Sequence, residues 1–311
     1  MPLRRVLSLV HSAAGALLSL ALLLGLAAAL IPAAQAQAQA QSQAQSQAQA
    51  GQDGDRISHL MALMGMEEIV QIMREEGLAY GGELGRGMLS GEGGPIWDQQ
   101  VDRIYDVAAM TALVQARFRA AFGTADPEPL IDFFEDETGQ QIVALEIAAR
   151  RAFMDEQIEE TAREAFREVE ADLDAPSPRA IDPHLSAIES YVEANDLIGF
   201  NVMGAMNANM LFYRGLIDGG ALNMTEAEIL SDVWEQEEET HAETREWLYA
   251  FLMLAYQPLD AGQISAYADL SLTPHGRAMN RALFSAFDDM YGALSHALGL
   301  AIAARIMTED L

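Results

Sequence analysis

The chain has 311 residues, 50% of them hydrophobic and 21% charged, with 47 acids against 18 bases and a formal net charge of −29. That is the composition of a globular protein, and its acidic balance argues against nucleic acid and anionic membrane surfaces as partners. Every base is Arg and there is no Cys, so disulfides and thiolate metal sites are excluded and stability must come from packing.

Arg4 and Arg5 precede an apolar run from Ala13 to Ile31, and Ala34-Gln35-Ala36 follows Pro32 as a small-residue cleavage pattern. Residues 1–36 are therefore expected to be a secretory signal cut after Ala36, leaving the mature protein in the periplasm and off the membrane. A retained anchor is the alternative, since the run is nearly long enough to span a bilayer. Losing Arg4 and Arg5 would take the net charge to −31. The tract QAQAQSQAQSQAQA that follows has neither charge nor an apolar face, so residues 37–56 are expected to be a disordered spacer.

Apolar residues then recur at helical spacing. Leu60, Leu63, Met64, Val70 and Met73 mark a first helix within 57–84, and Trp97, Val101, Ile104, Val114 and Phe118 a second within 97–122. Asp126-Pro127 suits a helix start, and Leu130, Ile131, Phe133 and Phe134 give the short helix after it an apolar side. Asp136 can cap the next helix, from Glu137 to Phe166. Its arginines Arg150, Arg151, Arg163 and Arg167 are expected on a solvated face, paired with acids one turn away. Asp174-Ala175-Pro176-Ser177-Pro178 breaks the pattern, and residues 174–182 are expected to be a linker.

Beyond it, Asp182-Pro183 opens an apolar helix through Leu216. Thr225 with Glu228 forms a capping-box pattern for a helical region reaching Tyr256, and Leu259 to Met290 holds two helices joined at Thr273-Pro274-His275-Gly276. In that turn Thr273 should cap, Pro274 should set the first helical φ, and Gly276 should let the two helices come close. Placing Gly139 on Gly276 also places Asp136 on Thr273, Phe133 on Leu270, Leu130 on Tyr267 and Phe122 on Leu259. The expected fold is all-α: two diverged tandem units of about four helices, residues 57–173 and 183–311, each built around such a hairpin.

The apolar or aromatic helix, the Ser/Thr-Pro-x-Gly turn and the second apolar helix resemble the domain of unknown function 2059 family. The second unit has Thr273, Pro274 and Gly276 but Leu270-Ser271 where the family has an aromatic pair. The first has Phe133, Phe134 and Gly139 but Asp136 and Glu137 in place of hydroxyl and proline. The resemblance implies an exported, all-helical bacterial protein and supplies no activity, cofactor or catalytic residue.

Chemistry-bearing patterns are few. Glu238 and His241 form one Glu-x-x-His on a helix, the half-motif of a carboxylate-bridged metal site, with no second copy to complete it. Glu235, Glu239, Glu243 and Glu246 lie beside it as an acidic stripe, and Glu238, His241 and Arg245 can pair internally. Asn201 and Asn207, with Met203 between them, are polar residues in an otherwise apolar helix and are the candidates for a small-molecule pocket. No Gly-x-Ser-x-Gly, phosphate-binding glycine loop or clustered His appears, so no catalytic residue, metal or cofactor is assigned. The leading expectation is a non-enzymatic binding protein of the cell envelope with an envelope protein or cationic partner. The alternatives are a metal-dependent helical enzyme and a small-molecule binder.

Overall fold

The computed structural model describes residues 54–89, 93–173 and 182–309, and helices are the only regular structure among them. The expected signal sequence, most of the expected spacer and nearly all of the expected linker lie outside the described residues. The first helix, α1, covers residues 54–63 and so begins inside the stretch expected to be spacer. After it come α2 (Met66–Met88), α3 (Gly94–Ile104), α4 (Val107–Phe122), α5 (Glu128–Glu135), α6 (Glu137–Ala152) and α7 (Glu156–Leu173). Beyond the linker lie α8 (Pro183–Ala194), α9 (Leu197–Asp218), α10 (Glu226–Trp234), α11 (Glu237–Tyr256), α12 (Ala261–Leu272) and α13 (Pro274–Glu309).

These are more and shorter helices than four per unit, and the extra breaks are mostly made by aspartates. Asp106 accepts from the Ala109 amide and splits the expected helix over 97–122. Asp155 accepts from the amides of Gln157 and Ile158 and splits α6 from α7. Asp196, at φ 47°, turns the chain between α8 and α9, as Gly65 at φ 66° does between α1 and α2. A short carboxylate satisfies the orphan amides of a new helix, so an Asp in an apolar run can end one helix and start another.

The two hairpins share one local geometry. At the second, Thr273 Oγ1 donates to the Leu270 carbonyl and accepts from the Gly276 amide. At the first, Asp136 accepts from the Thr138 amide. In each, the glycine lies against the carbonyl six residues earlier: a Cβ on Gly139 would overlap the Phe133 oxygen, and one on Gly276 the Leu270 oxygen. Burial follows the same register, since Leu130 and Tyr267, Phe134 and Ser271, and Ile142 and Met279 are all buried.

Helix α13 is the mast of the bundle. It runs parallel to α9, with Phe284 stacked on Phe200, Asn207 donating to Asp288, and Gly215 crossing Gly299 with almost no space between backbones. It runs antiparallel to α4, tied by Arg117 to Asp289 and by His275 Nδ1 to the Asp126 carbonyl. By length and composition α13 could cross a membrane; here its apolar residues pack on α9 and α4.

The reciprocal contact joins α11 to α6 and α7. Phe153 meets Trp247 and Phe251, Phe166 stacks on Tyr249, and Arg245 pairs with Glu170. Thus α4, before residues 174–182, packs on α13 after them, and α11 packs back on α6 and α7. One continuous hydrophobic core holds residues from both sides of the linker.

This packing makes the turn glycines testable. Gly276→Ala should cost about 2–3 kcal/mol, the upper range for overpacking, because its clash is with backbone that cannot rotate away. Urea denaturation reads the loss; a variant with the wild-type midpoint would contradict the close approach.

Candidate functional site

Glu146 and Arg150 stand one turn apart on α6, and each reaches into the molecule towards its own polar partners. Arg150 makes two parallel bonds to Glu76 on α2, Nε to Oε1 at 2.9 Å and Nη2 to Oε2 at 2.8 Å. It also donates to the Tyr291 hydroxyl on α13 at 3.4 Å. Burial works against the Arg150 charge, but Tyr291 and Glu76 outweigh it and hold the guanidinium ionised. The expectation that Arg150 sits on a solvated face is therefore corrected: it joins three helices. Its neighbours also pair across the structure, Arg151 with Glu68 and Arg163 and Arg167 with Glu246, besides the pairing of Arg163 with Glu159 one turn away.

Glu146 accepts from the Tyr256 hydroxyl at 2.5 Å. Around this pair Tyr267 stacks between Phe133 and Tyr191, with ring centroids 5.6 and 4.7 Å away, and Tyr191 meets Tyr256 edge-on at 5.8 Å. His184 Nε2 donates to the Tyr256 carbonyl at 2.9 Å. Burial raises the Glu146 carboxyl from its ordinary value to about 7, with the Tyr256 hydrogen bond pulling the other way. Burial, then the Glu146 charge, holds the Tyr256 hydroxyl protonated. The cluster joins α5, α6, α8, α11 and α12 where the two hairpins meet. It can exchange a proton near neutrality, and the bonds it makes fasten helix to helix.

The residues singled out from sequence lie elsewhere. Glu238 and His241 are both exposed on the first turns of α11, and no group of three or more His, Asp or Glu able to hold a metal occurs among the described residues. Their expected pairing with Arg245 is corrected, because Arg245 turns to Glu170 and lies over the rings of Phe166 and Tyr249. Asn201 donates to the Leu197 carbonyl at 2.6 Å, Asn207 to Asp288 at 2.8 Å, and Met203 faces outward. The neighbouring Asn209 is buried with an Oδ1 that accepts no hydrogen bond.

One further surface feature was not legible from motifs. Helix α10 buries Ile229 and Val233 and turns Leu230 and Trp234 outward, 55% and 61% exposed. Around it, none of Glu235, Glu237, Glu238, Glu239 and Glu243 forms an ion pair among the described residues.

Residues 108–168 match the model of a family described as "Uncharacterized protein conserved in bacteria (DUF2059)". This segment runs from the start of α4 into α7 and takes in the first hairpin with its Phe133, Phe134 and Gly139, while the second hairpin lies beyond the matched residues. No curated protein and no solved structure matches the chain.

The Glu146 cluster has a pH signature. Its folded pKa lies above the unfolded one, so the stabilisation is complete below the ordinary carboxyl range and is lost as pH rises through about 7. Between pH 5 and pH 8 the urea midpoint should fall more steeply for wild type than for Glu146→Gln, which cannot ionise. Parallel profiles for the two proteins would show that Glu146 is not buried in this way.

Proposed function

We propose that this chain, whose first hairpin lies within the segment matching the DUF2059 family, is an exported, non-enzymatic binding protein of the bacterial cell envelope. The observation that carries the reading is where the ionisable side chains go. Glu76, Arg150, Glu146, Tyr256, His184 and Arg245 are spent on bonds between helices. His59, His275 and His296 likewise contact Glu135, the Asp126 carbonyl and Asp218. Catalysis needs a nucleophile, acid or base converging on open space beside a bound substrate, and here these groups converge on one another.

Export is supported by Arg4 and Arg5, the apolar run to Ile31 and the Ala34-Gln35-Ala36 pattern. Binding is supported by an exterior on which acids outnumber arginines and by large apolar side chains left outside, Trp234 foremost among them. A partner from the periplasm or the outer face of the inner membrane fits both.

Crosslinking the purified mature protein in periplasmic extract at low salt, followed by mass spectrometry, should recover one envelope protein at near-stoichiometric yield. Recovery of only abundant bystanders in proportion to their concentration would refute the proposal.

A further inference from the structure

Resting on that reading, we propose that the corner formed by α10 and the first turns of α11 docks a cationic amphipathic segment of a partner protein. Leu230 and Trp234 are one helical turn apart and so share a face, about 100° round the helix from the buried Ile229 and Val233. A lone exposed Leu is ordinary, but a Trp at this exposure beside it is the kind of side chain that anchors interfaces.

The glutamates around it decide what can sit there. Glu235 occupies the bend after α10, and Glu237, Glu238, Glu239 and Glu243 follow on α11. Arg245, the nearest base in sequence, is committed to Glu170 on α7, so the acidic collar keeps its charge. Glu226, at the start of α10, already pairs with Arg214 and stands apart from the collar. An exposed apolar pair followed directly along the chain by unpaired glutamates complements a segment that presents an apolar side chain flanked by Lys or Arg. The apolar group would cover Trp234, and a neighbouring cation would lie on the indole face or against the glutamates. A second copy of this chain is a poor occupant, since two strongly acidic molecules repel.

The test uses the full mature protein and a fluorescent Leu/Lys peptide designed as an amphipathic helix, beside a scrambled peptide of the same composition and charge. Anisotropy at low salt should show the amphipathic peptide binding at least about tenfold more tightly than the scrambled one, a difference of about 1.4 kcal/mol. Trp234→Ala should lose that preference while melting at the wild-type temperature. Glu237→Gln/Glu238→Gln/Glu239→Gln should weaken both peptides and flatten the salt dependence. Met307→Ala, an exposed apolar residue at the far end of α13, should bind like wild type. Equal binding of the two peptides, or an unchanged preference in Trp234→Ala, would overturn the assignment. The same variant separates it from the broader reading. If Trp234→Ala still captures the crosslinked envelope partner, the corner is wrong and the binding function stands. If it loses the partner, both are supported.

Discussion

Two backbone approaches set the geometry of this molecule. At Gly139 and at Gly276 the second helix of a hairpin begins so close to the first that a carbonyl oxygen occupies the place of a Cβ. This leaves each hairpin a single packing angle and sends α6–α7 and α13 off in defined directions. Both then reach across the linker: α13 lies along α4 as well as α9, and α6–α7 lie along α11.

The same arrangement explains where polar groups are buried. Side chains on α6 reach polar partners on α2, α11 and α13. Arg150 is satisfied there by a bidentate carboxylate and a hydroxyl, and Glu146 by a tyrosine. The Arg150–Glu76 pair is partly buried; such a pair contributes little net stability over an apolar replacement but is costly to break, so these groups fix which helices face each other. Arginines used in this way are unavailable to the surface. With 47 acids and 18 bases in the chain, the remainder is a negative exterior that includes the turn from α10 into α11.

The all-helical class, the two hairpins and most of the core were readable because apolar periodicity and the Asp, Thr and Pro caps are local signals. Helix ends were harder. Asp106 and Asp155, by capping, and Asp196, by its left-handed backbone, cut helices whose apolar periodicity runs on across the break, and in so acidic a chain such an aspartate looks like one more surface charge. Arg150 was misread for the converse reason, since its partners Glu76 and Tyr291 are distant in sequence and its own helix offers acids one turn away. Glu146 did carry a cue, standing alone among Leu145, Ile147, Ala148 and Ala149. The exposure of Trp234 was hidden, because in a nine-residue helix with Ile229, Leu230 and Val233 only the tertiary structure says which apolar face is left out.

The central claim is that the two halves close one core and cannot be stable separately. Native-state hydrogen exchange on the intact protein tests it most directly, because it reads the free energy at which each helix opens. The slowest amides of α4, α6, α9, α11 and α13 should exchange at one common free energy, the global one. Two separate sets divided at the linker, with α9 and α13 opening independently of α4 and α6, would contradict it.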